Sequence, residues 1–230
     1  MSSVLRMGPA PRNGAPVAEG GAPAPVEHLV LCADGSAPER VAAYVERELP
    51  PGGIPAYRAA RGRGVRSFVL WADEHRRERL ATLVTVSAGN GVATYQVLGA
   101  HGEPIGTFVR EKALRGRGLR TRWTVTPAGG PDAVGYKGRI LWWYVWWLLS
   151  PLQTLIIVLS LLSGSGDAAR GPRRIVWRAG GQAPLEFRSK DDTVHLHAPG
   201  FDRRLGAALV VLLRTFDSWL LGTEWDDGKK

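Results

Sequence analysis

The sequence predicts a mainly β protein, an antiparallel sheet or barrel wrapped around a hydrophobic C-terminal helix and interrupted by a membrane-inserted segment. Three observations lead there. Short stretches in which apolar and polar residues alternate recur between Tyr95 and Leu196 with turn signals between them, which is the pattern of antiparallel strands. Leu205 to Leu213 is apolar on nearly every face. No residue between Arg139 and Asp167 carries a charge.

The stretch 1–26 is rich in Pro, Ala and Gly and holds no aromatic residue, so composition predicts a disordered leader. A secretory signal needs an apolar stretch of roughly 7 to 15 residues, and Arg6, Pro9, Pro11 and Arg12 interrupt any such stretch. Order is expected from 27 to 57: a strand at Leu29–Cys32, a turn at Asp34-Gly35, then an amphipathic helix. The helix is suggested by Ser36 and Glu39 in capping-box relation, by Val41, Val45 and Leu49 along one face, and by a stop at Pro50-Pro51-Gly52-Gly53. Arg58 to Arg66 reads as a basic, Gly-rich loop, and Glu74 to Arg79 as a charged turn between strands at Ser67–Ala72 and Leu80–Ser87.

Tyr95 and Val97 then alternate with Thr94 and Gln96, and His101-Gly102-Glu103-Pro104 turns the chain into Ile105, Thr107 and Val109. Trp123 and Val125, Ile175 and Trp177, Leu185 and Phe187, and Val194 and Leu196 alternate with polar neighbours in the same way. The barrel is therefore assigned to 58–139 and 167–222, with a tail at 223–230. RGRGVRS at 61–67 recurs as RGRGLRT at 115–121, each running into a strand, which raises the prospect of a duplicated hairpin.

The inserted segment is assigned to 140–166. Its densest part, Ile140 to Ser163, exceeds the roughly 20 residues that span hydrocarbon, and membrane contact is preferred over a buried core segment. Trp142, Trp143, Tyr144, Trp146 and Trp147 gather at one end, where amphipathic rings favour the headgroup level. Leu155, Ile156 and Ile157 lie in the second half, beyond Pro151, which breaks the helical hydrogen-bond ladder. Each half reaches about 17 Å at a rise of about 1.5 Å per residue, enough to reach the midplane but not to cross. Basic residues flank both sides: Arg120, Arg122, Lys137 and Arg139 before, and Arg170, Arg173, Arg174 and Arg178 after. With no asymmetry between the flanks, a re-entrant hairpin is favoured over a single span, because it keeps both on the positive, cytoplasmic side.

The C-terminal helix is expected to open at Asp202 as N-cap and to close near Gly222. Leu205, Ala208, Leu209, Leu212, Leu213 and Phe216 trace one face while Ala207, Val210 and Val211 fill another, so the helix reads as wrapped inside a sheet.

Charge and chemistry narrow the function. Thirty Lys and Arg against 21 Asp and Glu leave +9, which favours phosphate-bearing partners. Cys32 is the only cysteine, so neither an intramolecular disulfide nor a multi-cysteine zinc site is available. His195 and His197 fall on one face of a strand without an evident third ligand, with Val194 and Leu196 directed inward. Ser163-Gly164-Ser165-Gly166 lacks the order of a nucleophile elbow, and no phosphate-binding glycine motif occurs. No catalytic constellation and no cofactor is expected. The basic residues Arg115, Arg117, Arg120, Arg122, Lys137, Arg139, Arg173 and Arg174 are candidate contacts to anionic phospholipid, at roughly 1 kcal/mol for each basic residue near the surface.

The order of features resembles the tubby-like superfamily, which includes the tubby C-terminal domain, phospholipid scramblases and LURP-one-related proteins. The resemblance is carried over about 28–221 by TYQVLGAHGEPIGTF at 94–108, similar to those families' strand, Gly-centred turn and strand. RTRWTVTP at 120–127 and VHLHAPGFDRRLGAALVVLL at 194–213 carry it further, the latter like their last strand running into a hydrophobic helix. The resemblance implies a twelve-stranded antiparallel barrel around a central helix, associated with membrane lipid and without catalysis; the Ile140–Ser163 insertion departs from it. The expected function is a membrane-associated, lipid-contacting binding or adaptor module at the cell membrane, its soluble part facing the cytoplasm. The alternatives are a scramblase-type phospholipid transporter and, less favoured, a membrane-anchored nucleic-acid-binding protein.

Overall fold

The computed structural model describes residues 2–10, 26–113, 118–137 and 174–216. These form one closed antiparallel barrel of β1 (Ser3–Pro9), β2 (His28–Asp34), β3 (Arg40–Arg47), β4 (Phe68–Trp71), β5 (Arg79–Gly89), β6 (Val92–Gly99), β7 (Pro104–Glu111), β8 (Arg122–Pro127), β9 (Ala133–Tyr136), β10 (Arg174–Ala179), β11 (Gln182–Arg188) and β12 (Thr193–Leu196). Each strand pairs with its neighbours in sequence, and β1 closes the ring on β12 through Ser3–Leu196 to Arg6–Thr193. Closure removes every sheet edge, which is how a barrel avoids templating another chain.

Helix α1 (Gly53–Gly62) lies between β3 and β4, and helix α2 (Arg203–Arg214) follows β12. Asp202 caps α2 by accepting from the backbone N–H of Arg204 at 2.8 Å. Every residue from Leu205 to Leu213 is buried. Strand alternation supplies the matching wall, with Leu5, Val97, Phe108, Val125, Trp177, Leu185 and Val194 all fully buried. The helix therefore occupies the lumen, and barrel and helix share one core.

Two glycines set how closely they fit. A Cβ at Gly106 of β7 would stand 2.9 Å from Leu205, and one at Gly206 of α2 would stand 2.7 Å from Leu5. Larger residues at these points would force helix and wall apart.

Four expectations are corrected. The proposed leader contains β1, because a composition averaged over the whole stretch conceals Leu5 and Met7, spaced by two and buried against the core. The helix expected after Ser36 is strand β3. Val41, Val45 and Leu49 share a face in a helix, but pairing to β2 and β4 selects the strand, in which a bulge at Ala42 leaves Val41 exposed and Val45 buried, with Leu49 beyond its end. Glu39, read as half of a capping box, takes a two-pronged hydrogen bond from Arg6 of β1 at 2.7 and 2.6 Å. The supposed stop at Pro50–Gly53 instead leads into α1, whose Tyr57 is buried, so much of the supposed basic loop is helical. Finally, α2 ends at Arg214 with Thr215 as C-cap, well short of Gly222.

The repeated RGRG segments occupy unlike settings. The first closes α1 before β4, and residues 114–117 of the second lie outside the described residues. Buried Phe68 and Leu70 of β4 match buried Trp123 and Val125 of β8 only at an offset one residue longer than that of the repeat, so the inward pattern does not follow a duplication.

Membership of β1 in the barrel is directly testable. Leu5→Ala should lower unfolding free energy by about 2–5 kcal/mol, the range for truncating a buried leucine, as read from the urea midpoint. An unchanged midpoint would mean that the segment contributes nothing to the fold.

Candidate functional site

Antiparallel order divides the connections between two ends of the barrel. At one end lie short turns, 35–39, 72–78, 100–103, 128–132 and 180–181, and the N-terminus of α2. From the other end leave the connections 10–27, 48–67, 112–121 and 137–173, the hairpin turns at 90–91 and 189–192, and the chain beyond α2. The long connections thus all gather at one end.

Surface character follows the same division. Among the described residues five large apolar side chains are exposed, and four of them, Leu49 (42%), Val86 (61%), Leu119 (68%) and Tyr136 (43%), lie at the long-connection end. Around them stand Arg58, Arg61 and Arg63 on or just after α1, Lys112 after β7, Arg120 before β8 and Lys137 after β9. Three of the carboxylates at this end are already engaged: Glu48 accepts from Ser67, Glu111 pairs with Arg122 at 3.3 Å, and Asp192 pairs with Arg214.

Beneath that surface the mouth is sealed where α2 ends. The guanidinium carbons of Arg66 and Arg110 lie 4.4 and 4.1 Å from the ring centre of Phe216, and Trp123 meets the same ring edge-on at 5.8 Å. Arg66 is buried and donates to the carbonyls of Arg61, Val65 and Thr215. Cations at this position complement the negative end of the helix dipole. The Tyr95 hydroxyl donates to the carbonyl of Gly64 at 2.6 Å, and burial pushes its pKa up to about 12. Burial also lowers the pKa of Arg110. Sequence reasoning misses Arg110 as a functional candidate, although it shares the inward phase of Phe108 along β7 and that phase could have found it.

Of the basic residues expected to contact lipid, Arg120, Arg122 and Lys137 come together at the β8–β9 border. Arg120 lies over the ring of Tyr136 at 4.6 Å, Arg122 is register partner of Tyr136, and the Lys137 N–H donates to the carbonyl of Thr121. Arg174 is differently employed: at the start of β10 it donates to both oxygens of Glu186 at 2.8 and 3.0 Å, while Arg188 donates to the same carboxylate at 2.5 Å. Its charge is engaged on the wall of the barrel. Arg115, Arg117, Arg139 and Arg173 lie outside the described residues, as do Trp142, Trp143, Tyr144, Trp146, Trp147, Pro151, Leu155, Ile156 and Ile157. Among the described residues no helix is long and apolar enough to cross a membrane.

His195 and His197 stack at 6.1 Å on the outer face of β12, with Val194 and Leu196 buried behind them as the alternation requires. Among the described residues no group of three or more His, Cys, Asp or Glu is placed to hold a metal. Cys32 is buried, and burial raises the pKa of its thiol. No protein-family model, curated protein or solved structure matches the chain.

Glu186 sets a pH dependence for the wall formed by β10, β11 and β12. Burial alone would raise its pKa, but hydrogen bonds from Arg188 and Arg174, with their charges, overcome this and hold it at about 2. A depressed carboxylate pKa stabilises the fold above the unfolded value and loses that contribution as pH falls through the folded one. Urea midpoints should therefore fall between pH 4.5 and about 2, and Glu186→Gln should be less stable at neutral pH with a flatter profile in that window. An identical profile in the variant would remove Glu186 from the account.

Proposed function

We propose that the protein is a membrane-associated, lipid-contacting binding or adaptor module of the tubby-like barrel type, held at the cytoplasmic face of the cell membrane with its long-connection end against an anionic leaflet. The observation that carries this reading is the coincidence, at one end of the barrel, of the exposed apolar tips Leu49, Val86, Leu119 and Tyr136, the basic cluster Arg120, Arg122 and Lys137, and the described residues Lys137 and Arg174 that bracket the uncharged run. Apolar tips among basic residues suit an interface in which the rings and aliphatic groups enter the headgroup layer while the cations meet lipid phosphates. The twelve-stranded barrel filled by a C-terminal helix is compatible with the tubby-like superfamily. Its filled lumen leaves the outer surface to meet lipid, which favours binding over transport.

Barrel topology also supports the re-entrant form of the inserted segment. Strands β9 and β10, on either side of it, are antiparallel neighbours joined at Arg178 and Val134, and Lys137 and Arg174 lie at the same end. A chain that leaves and re-enters one barrel at one end returns to the side from which it started. A single span would place the two strands in different compartments, where they could not pair. Ile140 to Ser163, divided at Pro151, is accordingly read as a hairpin that enters the membrane and returns.

Two experiments test the reading. Arg120→Glu combined with Lys137→Glu should weaken association with phosphatidylserine vesicles by at least about tenfold at low salt, given roughly 1 kcal/mol per charge, and leave phosphatidylcholine vesicles unaffected. Arg178→Glu, toward the opposite end, should have little effect on either. Equal loss on both vesicle types, or the same loss from Arg178→Glu, would exclude this face. For topology, Ala100→Cys and Gln182→Cys, each in a Cys32→Ser background, bracket the run in sequence. An impermeant maleimide should miss both in intact cells and label both after permeabilisation; opposite labelling would establish a single span and overturn the barrel with it.

A further inference from the structure

The short-turn end holds a feature that the membrane reading does not use. A cleft of about 200 Å³ opens between the first turn of α2 and strands β2 to β5. Its floor is apolar, made by Ala43, Leu70, Leu80 and Ala207, and its lining includes Arg40, Arg203 and Arg204 but no carboxylate.

Two β-bulges build it. Between β2 and β3, Val30 pairs with Ala43 and Leu31 with Val41, leaving Ala42 as an extra residue. Between β4 and β5, Leu70 pairs with Ala81 and Trp71 with Arg79, leaving Leu80 extra. Both extra residues line the cleft. A bulge adds one residue to one strand and so reverses the inward and outward phase beyond it. Ala43 and Val45 of β3 are buried in the core, and unbroken alternation would send Arg40 outward. The bulge instead pairs Arg40 with buried Cys32, and cross-strand partners share a face, so Arg40 stands on the core side of the rim.

The guanidinium groups are held by acids that do not themselves line the cleft. Arg40 and Arg203 both reach Oδ2 of Asp34, at 2.8 and 3.1 Å, while Arg204 is held by Asp202 at 2.9 Å and Glu103 at 3.2 Å. Arg40 and Arg203 remain 58% and 52% exposed. A guanidinium has five N–H donors, and each of these contacts engages only part of the fork. The result is an oriented cationic mouth over an apolar floor.

We propose that this cleft is a binding site for a small anionic amphiphile, a chain of about six to eight carbons with a carboxylate head. A dry cavity of about 150 Å³ accommodates benzene, so 200 Å³ suits a chain of that size. The chain lies against Leu70, Leu80 and Ala207, and the head accepts N–H donors from Arg40 and Arg203 beside the positive end of the α2 dipole. A quaternary ammonium head would face guanidinium groups whose paired carboxylates stand outside the lining, and would find no acceptor there.

Octanoate is the probe, titrated calorimetrically into the full chain in nanodiscs with empty discs as blank. Saturable one-to-one binding is expected, stronger than that of octanol, with none for octyltrimethylammonium. Arg40→Gln with Arg203→Gln should weaken octanoate at least about tenfold, as loss of charge-assisted hydrogen bonds implies, while leaving octanol unchanged. Val41→Trp, at an exposed position on the rim, should block both ligands without disturbing the core, and an unchanged thermal midpoint verifies that it is folded. Absence of saturable octanoate binding at millimolar concentrations, equal binding of the ammonium compound, or binding indifferent to these substitutions would overturn the site. The cleft lies at the opposite end of the barrel from Leu119, Arg120 and Lys137, so neither result bears on vesicle association.

Discussion

Burial of α2 inside the ring of strands is the interaction on which the rest of the molecule depends. A barrel wall of this kind presents an apolar inner face and needs something apolar to fill it, since an empty lumen would forfeit dispersion contacts along its whole length. The helix supplies that filling with Leu205 to Leu213, and only its ends carry charge. Arg203 and Arg204 with Asp202 sit at its start, and Arg214 meets Asp192 at its finish. The glycines at 106 and 206 make that fit possible, since they reduce side-chain volume where helix and wall come closest.

The same construction separates the two ends of the barrel chemically. Where α2 begins, its capping acids and neighbouring arginines leave a balanced, hydrogen-bonded rim broken by the bulges at Ala42 and Leu80. Where it finishes, a buried carbonyl of Thr215 accepts from Arg66, and Arg66 and Arg110 close over Phe216. The long connections, with their apolar tips and surplus of basic side chains, lie beyond that seal. A polar axis of this kind is what the proposed contact with an anionic surface would use.

Most strands are legible in the sequence because inward burial obeys the period of two: β6, β8, β10, β11 and β12 lie where Tyr95, Trp123, Ile175, Leu185 and Val194 place them, whereas β7 carries a bulge at Ile105 and turns Phe108 inward in place of Thr107 and Val109. The enclosed helix is legible from its lack of a polar face. The failures have a common cause, in that local pattern competes with pairing far away in the chain. Val41, Val45 and Leu49 satisfy the helix period locally, and only the presence of β2 and β4 on either side selects the strand. Leu5 and Met7 look negligible among prolines and glycines until β12, near the other end of the chain, offers an edge. In the site, charge near an apolar run singles out Arg120, Arg122 and Lys137, which the fold brings together at the β8–β9 border, but it does not anticipate the pairing of Arg174 with Glu186, which belongs to a later strand. Arg66 and Arg110 escape a sequence reading because an arginine over an aromatic ring inside a barrel mouth leaves no local motif. The arginine-rimmed cleft is invisible for a related reason: its geometry comes from bulges, which the sequence does not announce.

Closure through β1 and β12 also sets the order in which the molecule can come into being. Strand β1 hydrogen-bonds to β12, which is made long after it, and the helix that fills the interior is made later still. Until β12 has been synthesised the growing sheet has two bare edges, and until Arg214 follows its apolar face is unfilled, a state prone to mispairing. Native contacts of such large sequence separation slow the final step, because loop closure must precede any gain from packing. The residues from Ile140 to Ser163 emerge well before that step, so the chain meets its surroundings with its most apolar stretch complete while its barrel is still open. Assembly is consequently governed by the far end of the chain, and truncation anywhere short of α2 leaves the earlier strands without a core to enclose.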